Sequence, residues 1–468
     1  MKRVRPQIAM FVFIGLGLQL TVAQTSAFAQ TAGLGVPLTL SEAITERLVN
    51  NPRIRAALSQ TDASVARISE ARSGLLPRVD LIQSVGRTTN PMWAFGAKLN
   101  QGIITTDDFD PARLNDPEGI SNFATTLSVT MPIYDQGKTW IGLSQAKLDK
   151  EATTLSAERV RQQVILEVVA SYLGVRHSQE NLEVVIQALE TAKAHLRMVR
   201  SRLQSGLTVK SDLLRAEVHI AELEQERVEA QSQVNIARAS LNAAIGADVD
   251  RSFDLVTPLE GSSATPGSLE TWIRQSLENR PDLEQIRFEE TMAQAEVKKA
   301  KAAHLPGVYL SGSYDINSED FSETADSYTV GAEVRFNLFS GLDLQSKVRE
   351  AKAQVCHIQA LIRQLELGIE VEVRRAFFQA QSASQRIGVA NASMAQAEEG
   401  LRIVRDRYEN GLLTIVNLLD AEVALKRARS NYLRSLYDFE VAIAQLNLAA
   451  GILDEEFPAS MGRQAAGH

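Results

Sequence analysis

The strongest constraint on this chain is that it writes its longest pattern twice. "VRSRLQSGLTVKSDLLRAEV" at 199–218 and "VRDRYENGLLTIVNLLDAEV" at 404–423 align without gaps at an offset of 205 and agree at ten of twenty positions, against about one expected by chance. The same offset sets Pro132-Ile133-Tyr134 against Asn337-Leu338-Phe339, Ala146-Lys147 against Ala351-Lys352, and Leu241-Asn242 against Leu446-Asn447. Upstream the offset is 229, pairing Pro52 with Pro281 and Leu76-Pro77 with Leu305-Pro306. The chain is therefore a tandem duplication whose first copy carries 24 extra residues between Pro77 and Pro132.

Each copy contains a run free of proline and poor in glycine, Lys138 to Gln204 and Leu342 to Glu409. As helix each would reach roughly 100 Å, far beyond an ordinary globular helix. Leu182, Leu189, Leu196 and Leu203 recur every seven residues, with Val185, Ala192 and Val199 offset by three. Leu418, Leu425, Tyr432, Phe439 and Leu446 repeat in the same way beside Ala421, Ala428, Ser435 and Ala442. A seven-residue repeat keeps one seam on a partner helix, so the pattern predicts coiled-coil packing. Helical patterns over about 41–74 and 268–303 open the two copies and end before Pro77 and Pro306.

Between those helices lie alternating segments. Leu310, Gly312, Tyr314 and Ile316 alternate with Tyr309, Ser311, Ser313 and Asp315. The return strand sets Tyr328, Val330, Ala332, Val334 and Phe336 against Thr329, Gly331, Glu333, Arg335 and Asn337. In the first copy Phe123, Leu127, Val129 and Met131 alternate with Asn122, Ala124, Ser128 and Thr130. Strands of about ten residues with one apolar face suit a membrane barrel, and period 2 equally fits an ordinary half-buried hairpin. The 24 extra residues include Trp93, Phe95, Asp107, Asp108, Asp110, Asp116 and Glu118 and are expected to form an enlarged, solvated acidic loop.

Residues 1–29 read as an export signal, with Lys2, Arg3 and Arg5 before an apolar run over Ile8–Leu20 and a small-residue site at Ala27-Phe28-Ala29. That leaves 30–246 as the first repeat, 247–267 as a linker, 268–452 as the second repeat and 453–468 as a tail. Net charge is −8, or −11 without the three basic residues of the signal, which excludes a nucleic-acid partner. The one cysteine, Cys356, sits in a helical pattern and is expected to be a buried structural thiol. The six histidines are scattered and no nucleophile elbow or phosphate loop appears, so neither an enzyme nor a metal or cofactor site is expected.

Four strands cannot close a barrel, and lipid does not tolerate an open edge. Two chains would give eight strands with a filled interior; three would give twelve and room for a lumen, which Glu333 and Arg335 suit. The order of signal, duplicated helix–hairpin–helix units and "GLxxxxDLL" and "GLLTIVNLLD" turns resembles the TolC-type outer-membrane efflux proteins over residues 38–452. The expected fold class is mainly α with transmembrane β. Long antiparallel coiled-coil helices form an α-barrel, and four strands per chain join a trimeric 12-strand β-barrel. The resemblance implies a passive outer-membrane conduit without catalytic activity, working with a periplasmic adaptor and an inner-membrane transporter in efflux or type I secretion. A non-conducting periplasmic coiled-coil scaffold or adhesin is the rival reading.

By sequence, Gly206 and Gly411 end helices, Arg200, Arg202, Arg405 and Arg407 lie in the final turns, and Asp212 and Asn417 start the next helices, with Asp420 in a capping arrangement. By resemblance, Asp420 falls on one acidic ring of the tunnel constriction and Asn417 on another, so that ring is amide here. Asp212 and Tyr408 match partners in the links that hold the closed state, whereas Leu413 stands where the pattern has a linking arginine. Leu207, Leu412 and Leu413 are candidates for adaptor contact at the tip.

Overall fold

The structure is a computed structural model that describes residues 36–45, 48–259 and 267–458. The expected signal and most of the tail lie outside the described residues. In chain order the elements are β1 (Val36–Leu38), α1 (Leu40–Thr45), α2 (Pro52–Ser73), β2 (Arg78–Thr88), α3 (Pro91–Gln101), α4 (Pro111–Asn115), β3 (Ile120–Tyr134), α5 (Lys138–Gln204), α6 (Lys210–Ala244), β4 (Phe253–Leu255), α7 (Leu269–Asn279), α8 (Pro281–Ala302), β5 (Gly307–Ser318), β6 (Ala325–Arg335), α9 (Asp343–Glu409) and α10 (Ile415–Ala449).

The two long runs are continuous helices of 67 residues each. Each turns back into a helix of 35 residues, and both helices of the second copy start 205 positions after their counterparts in the first. The opening helical patterns, expected as single helices, are each broken in two. Pro52 and Pro281 occupy the first turns of α2 and α8, and the residue before each is extended, Asn51 at ψ 124° and Arg280 at ψ 120°. A proline excludes its predecessor from the helical region, so the break follows from sequence alone. Asn51 also accepts from the Arg53 and Ile54 amides and donates to the Ala244 carbonyl at 2.7 Å, tying this corner to the end of α6.

The main core forms a belt partway along the long helices. Tyr172, Val168, Val169 and Leu173 of α5 meet Ile369, Val373 and Ala380 of α9 and Phe439 and Leu446 of α10. The segment joining the repeats contributes β4, which pairs in parallel with β1, and Leu255 and Leu259 enter this core. The Tyr172 hydroxyl donates to the Leu38 carbonyl and accepts from the Thr257 amide, bridging the two strands at their C-terminal end.

Farther down α5 the buried line is Val185, Leu189, Ala192, His195 and Val199, so the offset series forms the tightest part of the seam. Leu182, Leu196 and Leu203 are only half-buried, because α5 is gripped from two sides by α6 and α10. Cys356 is exposed, contrary to the expectation of a buried thiol. Ala351 and Ile358, one heptad apart, face the neighbours, and Cys356 lies well round the helix from both.

The four longer strands form one antiparallel sheet in the order β2-β3-β5-β6. Register places Val79 opposite Val129, Leu81 opposite Leu127, Leu127 opposite Tyr314, and Tyr314 opposite Tyr328. All of these side chains share one face, and it is solvent-exposed in the single chain. The other face is polar and cross-linked: Thr126 donates to Asp315 at 2.6 Å, Asn122 to Asn317 at 2.8 Å, and Arg335 to Glu333. Among the described residues neither β2 nor β6 has a partner strand on its outer edge. The extra residues enlarge the β2–β3 connection and fold locally, with Asp107, Asp110, Asp116 and Glu118 exposed as expected and Asp108 buried. Asn90 and Asp110 cap α3 and α4, Phe95 stacks edge-on against Phe109, and Ala94, Ala97 and Ile120 are buried together. Lys98 pairs with Asp108 at 2.7 Å and pulls that carboxyl down to about 2.

Candidate functional site at the helix turns

The two helix–helix turns sit at the ends of α5 and α9 remote from the sheet. Gly206 and Gly411 take φ of +71° and +74°, a conformation that costs a side chain with Cβ about 1 kcal/mol or more. In each turn the glycine amide and the next amide reach back to the helix: Gly206 to Leu203 and Leu207 to Arg202, Gly411 to Tyr408 and Leu412 to Arg407. Those paired bonds satisfy the last carbonyls of each long helix. The apolar residue after each glycine is left outside, Leu207 at 76% and Leu412 at 73% exposure. Leu413, expected to be exposed with them, is half-buried as the chain turns into α10.

Capping differs from the expectation. Thr414 is the N-cap of α10, and its amide and hydroxyl both donate to the Asn417 side chain at 3.2 and 2.8 Å. Asn417 is thus the third helical residue, and Asp420 lies a turn further on, exposed and outside the cap. In the first copy Val209 occupies the cap position and offers no side-chain bond. Asp212 sits in the first turn of α6, where its carboxylate complements the helix dipole and accepts from the Thr208 hydroxyl at 2.6 Å. The misassignment arose because Asp and Asn suit both the cap and the third position of a helix.

Tyr408 is buried in a small cluster with Val199, Leu401, Ile415 and Leu418. Burial pushes its phenol up, Arg202 opposes that shift, and the Asp212 carboxylate adds to it. The Asp212 carboxylate is thus close enough to act on the Tyr408 phenol, and the residue whose part here the sequence did not reveal is Arg202. Its guanidinium stacks over the Tyr408 ring and donates to the Tyr408 and Glu409 carbonyls at 3.0 and 2.5 Å. It caps the helix of the other copy instead of its own. Arg200 pairs instead with Glu217 of its own hairpin.

Arg202 is the lowest of several links between the two hairpins. Above it Glu422 of α10 contacts His195 of α5 and faces His219 of α6. Next come Lys426 to Glu226 at 2.6 Å, Arg429 to Gln187 at 3.4 Å and Ser430 to Asn181 at 2.8 Å. These links were invisible to a comparison of the two copies, because each joins residues that are not each other's counterparts. Glu333 and Arg335, far from this end, lie on the polar face of the sheet.

Comparison with known proteins agrees with this architecture. The family model described as outer membrane efflux protein matches residues 43–247 and 272–452, one segment per copy. Outer membrane protein TolC of Vibrio cholerae is 23% identical over 427 residues, covering 89% of this chain and 91% of its own length. The alkaline protease secretion protein AprF of Pseudomonas aeruginosa is 24% identical over 417 residues, 87% of this chain and 83% of that one. Among solved structures, the Campylobacter jejuni CmeC outer membrane channel superposes with a TM-score of 0.72 at 19% identity, covering 91% of this chain and 89% of its own. The duplicated hairpins, the four-stranded sheet with one apolar face and the paired glycine turns are thus those of an outer-membrane channel, and the chain belongs to the outer membrane efflux protein family.

Proposed function

We propose that three copies assemble into a continuous conduit from periplasm to exterior, closed at the helix turns and opened by parting the two hairpins of each protomer. The observation that carries this is the sheet. Its unpaired outer strands leave both edges open, while one face is apolar and exposed over all four strands. Joining edges between copies satisfies the backbone, and the apolar face then meets lipid with the Glu333 and Arg335 face lining water. A periplasmic scaffold has no use for such a face.

At the opposite end Asp420, Asn417, Asp212 and Tyr408 form the gate. Asp420 is exposed on α10, and three such carboxylates around one axis make the constriction attractive to cations. With Leu413 in place of a linking arginine, closure falls to contacts within the protomer, led by Arg202 on the end of α9. Gly206, Leu207, Gly411, Leu412 and Leu413 present the tip to a periplasmic adaptor, which couples the conduit to an inner-membrane transporter. A relative named for alkaline protease secretion supports polypeptide cargo.

Planar-bilayer recording of the purified protein tests the reading. Single-channel conductance, with cation selectivity and divalent-ion block both reduced in Asp420→Ala, is the expected result. A protein that extracts without detergent and never conducts would sink it.

A further inference from the structure

The link formed by His195, His219 and Glu422 differs from the others in being buried, ionisable and shared by three helices. Relative exposures are 5%, 8% and 9% respectively. His195 Nδ1 contacts Glu422 Oε1, and His219 Nε2 lies 3.6 Å from Oε2. Neither carboxylate oxygen has a hydrogen-bond partner elsewhere among the described residues. The carboxylate of one hairpin therefore depends on two imidazoles of the other.

We infer that this trio is a proton-operated latch, which holds α10 against α5 and α6 when the imidazoles are charged and releases it when they are neutral. The inference rests on the gate reading above. At 3.6 Å, His219 is at ion-pair range and beyond a good hydrogen bond, so its attraction depends on its charge. Its other nitrogen, Nδ1, lies 3.9 Å from Glu222 Oε2, again a distance that matters only to a cation. An uncharged His219 leaves Glu422 Oε2 facing no cation in a buried site, which is costly.

Charged groups line the openings on both sides of His219. A cavity of about 460 Å³ opens onto His219 and Glu422, walled by Glu183 and Glu190 of α5 and by Lys426 and Arg429 of α10, with apolar Leu401 from α9. Lys426 is engaged by Glu226, and Arg429 by Glu398. On the far side of His219 a groove is lined by Arg215 and Glu222 of α6 and Asp420 of α10. Both openings give protons a path to the latch. Among the described residues no group of three His, Cys, Asp or Glu is spaced to hold a metal ion.

The sign follows from the groups. Burial raises the Glu422 carboxyl, but His195 and His219 together hold it below its ordinary value. Its ionised form thus persists as pH falls into the range where imidazoles charge, between about 5 and 8. The attraction is present while both imidazoles are charged and is lost as rising pH neutralises them. Opening should therefore be disfavoured by acid on the periplasmic side, as a closing response.

The test is single-channel recording with the periplasmic-side pH stepped from 8 to 6, in wild type, His195→Gln/His219→Gln and Glu422→Gln. Wild type is expected to lose open probability by about threefold to tenfold, and both variants to respond by less than twofold. Hydrogen exchange of 415–425, corrected for intrinsic rate, should gain protection at pH 6 in wild type only. A conducting channel whose pH response is identical in all three proteins overturns the latch while leaving the gate intact. Variants that change protection equally at both pH values reduce the trio to packing and also overturn it. A wild-type protein that does not conduct at all refutes the gate reading instead.

Discussion

Arg202 and Glu422 show how far identical residues in the two copies diverge. Arg202 and Arg407 are counterparts at the 205 offset, yet only Arg202 reaches the carbonyls of the other copy's helix. Replacing Arg202 with alanine removes two charge-assisted hydrogen bonds and a ring contact, weakening closure by about 1–2 kcal/mol given their partial exposure. The expected outcome is a higher open probability in bilayers, with conductance of the open state unchanged. Glu422 and its counterpart Glu217 both sit in the triplet Ala-Glu-Val. Glu217 is exposed and pairs with Arg200, whereas Glu422 is buried against two histidines that the second copy lacks. The one sequence signal for the latch was His195 falling four residues before Val199 in the helical seam.

The helices, as elements, follow rules that act over a few residues. Both long helices and both glycine turns were readable from the absence of proline, the heptads and the Gly-Leu pairs. The Thr414–Asn417 cap was misplaced because neighbouring polar residues compete for the same role. That cap makes its own prediction. Thr414→Ala should destabilise the first turn of α10 by about 1 kcal/mol, seen as faster hydrogen exchange at 415–419. Val209→Thr, which supplies a threonine at the corresponding position of α6, should slow exchange there. Equal exchange in all three proteins would mean that packing alone fixes the turns. The local order of the β2–β3 connection was missed for a related reason. Most of its acidic residues are solvated as expected, and Asp108 and Asp110 also make local bonds that order the segment.

For the whole molecule, the decisive object is the sheet and its two faces. On the apolar face Val330 is 73% exposed in the single chain, and Thr329 lies on the polar face beside it. Val330→Arg places a charge against lipid, at a cost of about 2–4 kcal/mol near mid-membrane. It should deplete the protein from the outer-membrane fraction, whereas Thr329→Arg should insert normally and alter conductance. Similar fractions for both would remove the lipid-facing assignment.

Duplication, helix length and strand alternation were all written in the sequence, because each depends on a repeat, on periodicity or on residues within a turn of one another. Which of two equivalent residues became functional was decided by the tertiary structure. The two hairpins pack side by side without being related residue to residue across their interface, so Arg202 meets Tyr408 and His195 meets Glu422. No offset within the chain encodes those meetings. They arise because α5 is enclosed by α6 and α10 together, and burial then turns an ordinary glutamate into a partner for two imidazoles.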